Sequence, residues 1–122
     1  MALSESYLAL VNDAKTRIAE IDVAGYRQLV DSGVPFVLVD VREESEWAAG
    51  RADGAIHLSK GIIERDIESR IPDKAAKVVL YCGGGFRSAL AADNLRKMGY
   101  SDPVSLDGGW KAWLEAGLPV VR

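Results

Sequence analysis

The stretch VVLYCGGGFRSALAA, residues 78–92, carries the only cysteine of the chain between a run of strand-forming residues and a run of helix-forming ones. Gly83, Gly84 and Gly85 follow Cys82 directly, and Arg87 stands five positions after it. In a tight strand-to-helix turn, glycines can take positive φ without steric cost. Successive backbone N–H groups can then turn inward around one point and form an anion nest. The following helix adds partial positive charge at its N-terminus, and Arg87 adds a full one. A thiol in that field loses its proton more readily than a free cysteine, which makes Cys82 a candidate nucleophile. The same donors could hold a second anionic sulfur on Cys82, or the oxyanions of a bound sulfur or phosphorus compound. The competing reading is a small buried hydrophobe at a strand end. A purely structural turn, however, needs one glycine or two and has no use for an arginine at the start of the helix.

Composition removes several other chemistries. One cysteine cannot close an internal disulfide, and with a single histidine beside it there is no zinc quartet. The net charge of -3 leaves no basic surplus for a nucleic-acid backbone. Hydrophobic residues at 48% and charged residues at 27% are ordinary for a soluble protein, and 122 residues suit one compact domain. No apolar run approaches a membrane span, and the first residues, MALSESYLALVNDAKTR, are acidic early where a secretory signal would be basic. The expected compartment is the cytoplasm, with no membrane partner.

Elements able to position Cys82 follow from spacing. Tyr7, Val11, Ala14 and Ile18 recur at helical intervals behind the candidate caps Ser4 and Ser6, predicting an N-terminal amphipathic helix on the outside of the domain. Asp22 can cap a helix with Val23, Tyr26 and Val30 on one face, stopped by Gly33 before Pro35. PFVLVD and KVVLYC are continuous apolar runs, the pattern of strands covered on both faces of a parallel sheet. Between them EESEWAAG predicts a short helix, GAIHL a short strand, and IIERDIESRI another helix. From Ser88, Ala91, Leu95 and Met98 repeat helically up to Gly99; VSL is a third strand and GWKAWLEAG a last helix. Alternating strands and helices predict an α/β fold with a central parallel sheet, whose ligands sit beyond the carboxyl ends of the strands, where Cys82 stands.

The loop CGGGFRS resembles the active-site loop of the rhodanese family: a cysteine, four residues and an arginine, with Gly85 and Ser88 where that family usually has glycine and serine. FVLVDVREESEWAAGRADGAIHL resembles the upstream rhodanese signature, and LDGGWKAWLEAGLPV the C-terminal one. The resemblance covers the chain from about Ile18, so residues 1–17 are expected as a helical extension and 18–122 as a rhodanese-like domain with helices on both faces of its sheet.

What the resemblance implies is a sulfurtransferase cycle in two half-reactions. Cys82 would take a sulfane sulfur from a small donor, thiosulfate or a persulfide, and pass it to cyanide or a thiol. Backbone N–H groups of Gly83, Gly84, Gly85, Phe86, Arg87 and Ser88 would hold the persulfide, and the Arg87 side chain would orient the loop or a donor anion. No metal or organic cofactor is implied. A partner-dependent sulfur-relay module, served by a protein persulfide or thiol, is the alternative. Anion-loop phosphatases, the third reading, have five residues between cysteine and arginine where this chain has four.

The chain departs from the family twice. Thiosulfate-specialised members often carry a basic residue beside the cysteine, whereas Gly83 and Gly84 have no side chain, and Arg51 follows Gly50 where histidine is usual. Asp40 and Arg42 match the family's DVR and are expected to brace neighbouring loops. Lys60 and Trp110 are candidates for the pocket rim. His57 is expected as a satisfied histidine at a strand end, Trp47, Trp110 and Trp113 as core rather than a ligand-stacking platform, and the acidic EESE run as a helix start otherwise facing solvent.

Overall fold

In the computed structural model, which describes residues 3–122, the two continuous apolar runs lie side by side at the centre of a parallel sheet. They are β2 (Val37–Asp40) and β5 (Lys77–Tyr81), with Val37 opposite Val78 and Asp40 opposite Tyr81. β6 (Asp102–Leu106) flanks β5, and β1 (Ala19–Ile21) pairs with the outer edge of β6. On the other side β4 (Ile56–His57) pairs with β2, giving the order β1-β6-β5-β2-β4 with every pair parallel. A separate antiparallel ladder joins β3 (Arg51–Ala52) to β7 (Val120–Val121).

Side-chain alternation along β5 explains why its sequence is apolar from Val78 to Tyr81. Val78 and Leu80 enter one core, with Ile63 and Ile67 of α4 (Ile63–Arg70) and Ala91, Ala92 and Leu95 of α5 (Phe86–Lys97). Val79 and Tyr81 enter the other, with Tyr26 of α2 (Val23–Ser32) and Trp113 of α6 (Gly109–Glu115). Helices thus cover both faces of the sheet, so neither set of alternate residues from Val78 to Tyr81 meets water.

α1 (Glu5–Lys15) starts where Ser4 Oγ accepts the Tyr7 N–H at 3.1 Å, and it buries Val11 and Ala14. It packs on α5. It ends at Lys15 with Thr16 as its C-cap, so Ser6 is inside the helix and Ile18 beyond it. Ile18 joins the first core just ahead of β1. On α2, Tyr26 is buried and Leu29 packs beside it, whereas Val30 is half exposed. α5 begins at Phe86, ahead of Ser88; β6 is longer than VSL; GAIHL contracts to the two residues of β4. β1, β3 and β7 are too short for a period and exist because partner strands lie beside them. No helix among the described residues is long and apolar enough to cross a membrane.

Candidate active site

Chain connections leave β2 and β5 in opposite directions, to β4 and to β6, so the carboxyl edge between them is a topological switch point. Cys82 follows β5 there, beside the last residue of β2, Asp40.

The turn reaches α5 through one left-handed residue. Gly85 has φ 101°, while Gly83 and Gly84 do not use positive φ, so only one of the three glycines exploits that freedom. Its N–H donates to Cys82 Sγ at 3.1 Å, and the Ser88 N–H, in the first turn of α5, does so at 3.4 Å. Ser88 Oγ lies 3.5 Å from the sulfur and 2.8 Å from Ser105 Oγ on β6, a buried hydroxyl that local sequence could not assign to the site. Cys82 itself is only 1% exposed. Burial is the largest single influence on the thiol and pushes its pKa up. The Ser88 hydroxyl and amide, with the Gly85 and Gly84 amides, together outweigh it and leave the pKa lowered.

Arg87 is already engaged. Its NH1 donates to Glu46 Oε1 at 2.7 Å and its NH2 to Oε2 at 3.2 Å. Glu46 belongs to α3 (Glu44–Ala49), where its Oε1 also accepts the Glu43 N–H at 3.1 Å in a capping box. The expectation that the EESE run serves only a helix start and solvent is therefore corrected: Glu46 pairs with the arginine of the loop. The paired carboxylate, and then the charge on Cys82, keep the Arg87 guanidinium protonated against burial. Arg87 in turn holds the Glu46 carboxyl below its usual value, against burial.

Below the loop, Arg42 grips Asp40 through Nε at 3.1 Å and NH2 at 2.8 Å and donates to the Gly50 carbonyl at 2.6 Å. The Tyr81 hydroxyl donates to Asp40 at 2.7 Å and accepts the Ala52 N–H at 3.1 Å. These contacts tie β2, β5 and the α3–β3 connection together. His57 Nε2 lies 2.8 Å from the Arg42 carbonyl, with its ring stacked 4.9 Å from half-buried Trp47.

The start of α6 supports the loop from the far side. The Trp110 N–H donates to the Cys82 carbonyl at 2.7 Å and the Lys111 N–H to the Gly83 carbonyl at 3.2 Å. Gly109, at φ 52°, makes that approach possible, since a Cβ there would collide with the Cys82 carbonyl oxygen. The Trp110 ring covers Arg42 at 4.5 Å and, with Glu46, Ala49, Gly50 and Arg122, lines a hollow of about 300 Å³. Phe86 is flanked by α1, with Tyr7 at 6.3 Å and the Lys15 amine at 5.5 Å. Lys60 lines a cleft between α1 and α5 with Asp13, Arg17, Asp93 and Lys97. The structure thus gathers Cys82, Gly83 to Ser88, Asp40, Arg42 and Trp110 at one edge, with Lys60 in that separate cleft. Among the described residues no group of three or more His, Cys, Asp or Glu could hold a metal ion.

The rhodanese-like domain profile matches residues 22–116. A sulfurtransferase of Allochromatium vinosum is 36% identical, over 85% of this chain and 95% of that protein. A probable adenylyltransferase/sulfurtransferase, MoeZ of Mycobacterium tuberculosis, is also 36% identical, but the chain spans only 30% of its length. The polysulfide-sulfur transferase homodimer of Wolinella succinogenes superimposes with TM-score 0.80 at 29% identity, covering 95% of this chain and 87% of that one. A Rhodopseudomonas palustris protein described as of unknown function and a possible tyrosine phosphatase gives 0.82 at 28% identity, covering 99% and 98%.

Proposed function

The chain belongs to the rhodanese-like domain family, and from that membership we propose that it moves a sulfane sulfur through a persulfide on Cys82. The observation that carries the proposal is the sulfur's own set of hydrogen-bond partners: the Gly85 and Ser88 amides donate to Sγ, and the Ser88 hydroxyl converges on it. In the first half-reaction the Cys82 thiolate attacks the sulfane sulfur of thiosulfate or a persulfide. The donor's S–S bond breaks, sulfite or a thiolate leaves, and the outer sulfur of the new persulfide carries the negative charge. In the second, cyanide or a thiolate attacks that outer sulfur and Cys82 departs as thiolate, so no external oxidant or reductant is consumed. The amide donors that hold the thiolate would stabilise the persulfide anion as well. The transferase relatives support sulfur donors and thiol acceptors as the partner classes.

Incubation with thiosulfate or a small-molecule persulfide should add the mass of one sulfur atom to the wild-type protein and nothing to Cys82→Ser. Failure of every sulfane donor to load Cys82, with release of phosphate from an aryl phosphate, would instead favour an anion-loop hydrolase.

A further inference from the structure

Gly83 and Gly84 place no side chain beside Cys82, which leaves Arg87 as the cation the loop itself supplies. Both of its terminal nitrogens are held by Glu46, in a pair whose side chains are 30% and 37% exposed. Glu46 is anchored in turn by the Glu43 N–H, so its carboxylate is fixed at the start of α3. The guanidinium lies along Gly83, where an added Cβ would stand 3.2 Å from NH2. Arg42, the next arginine, is buried, paired with Asp40 and covered by Trp110.

From this arrangement we propose that Glu46 is a specificity-determining positioning residue: by neutralising Arg87 it biases the site against dianionic donors and toward monoanionic sulfur carried on an organic group. The inference rests on the sulfur-transfer reading. A dianion such as thiosulfate gains most from a free guanidinium and would have to displace Glu46 to reach one. A monoanion needs only the backbone donors around Sγ. Its organic part can enter over Gly84, which is exposed and has no atom beyond its own chain neighbours within 4 Å of where a Cβ would stand.

Glu46→Gln removes the charge while keeping an oxygen that can accept from Glu43 and Arg87. The ratio of kcat/KM for thiosulfate to that for methanethiosulfonate, a monoanion donating the same sulfane sulfur, should rise about tenfold in this variant. Glu46→Asp, which retains the charge, should keep the ratio near that of wild type. Alkylation of Cys82 supplies a readout independent of sulfur transfer, because iodoacetate and iodoacetamide differ in charge and little in size. Their rate ratio should also rise severalfold in Glu46→Gln. Unchanged ratios in both assays, or an equal fall in all four rates, would overturn the proposal and leave Glu46 as a support for the loop. If wild-type protein accepts sulfur from no donor, the transfer reading fails, and the alkylation ratio alone decides whether Glu46 selects by charge.

Discussion

Cys82 is held between opposing forces, burial raising its pKa and four hydrogen-bond contributions from three residues lowering it further. Ser88 supplies two of the four, and its hydroxyl is backed by Ser105. Ser88→Ala should therefore shift the pH midpoint of Cys82 alkylation by iodoacetamide upward by about one unit. A depressed pKa keeps thiolate present at lower pH, so losing the hydroxyl moves reactivity toward alkaline pH and slows it at neutrality. Ser105→Ala should move the midpoint the same way by less. A midpoint unmoved by Ser88→Ala would show that the amides alone set the thiolate. Cys82, Gly85, Arg87 and Ser88 were legible because they lie within seven consecutive residues of one turn. Glu46 and Ser105 were not, since each reaches the loop from a different element.

α6 and α1 hold the loop from two directions. The α6 contacts depend on Gly109, so Gly109→Ala should destabilise the fold by about 1–3 kcal/mol in urea denaturation and slow sulfur loading of Cys82. α1 is clamped by Arg17, whose Nε and NH2 reach the two Asp93 oxygens on α5 at 3.0 and 2.9 Å. Arg17 first, against burial and with help from Lys97, lowers the Asp93 pKa from 3.8 to about 2. The folded pKa lies below the unfolded one. This contribution is thus complete above the ordinary carboxylate value and lost as pH falls through about 2. Asp93→Asn should lower the thermal midpoint at neutral pH and flatten its decline on acidification below 3.8, as scanning calorimetry would show. An acid profile like that of wild type would mean that the clamp contributes nothing. The amphipathic spacing of α1 was visible in sequence, but its end at Lys15 and its contact with Phe86 depend on packing against α5.

Across the whole molecule, the second core and the site share Tyr81. Its ring lies 6.2 Å from Trp113 and its hydroxyl donates to Asp40, so one residue contacts both the α2–α6 side and the β2 edge of the site. Trp113, 2% exposed, also lies 5.0 Å from Tyr26 and donates to the Pro119 carbonyl at 3.0 Å. Trp113→Ala should cost about 3–5 kcal/mol in chemical denaturation. It should also reduce sulfur loading at temperatures where the protein remains folded. A loss below about 0.5 kcal/mol, within the range of surface substitutions, would show that this side of the sheet collapses around the gap.

Local spacing was enough to predict the parallel α/β architecture and to mark the turn after β5 as the candidate site. Continuous apolar runs are the pattern of a sheet covered on both faces, and glycines between a strand and a helix start let backbone donors turn toward a cysteine placed there. The family signatures added the sulfur-transfer expectation. Tertiary structure decided what each charge meets: Glu46 neutralising Arg87, Ser105 behind Ser88, Lys60 in the cleft between α1 and α5, and the short strands β1, β3 and β7. The physical reason is range. A turn's backbone conformation is encoded by adjacent residues, whereas an ion pair or a two-residue ladder exists only once folding brings distant segments together.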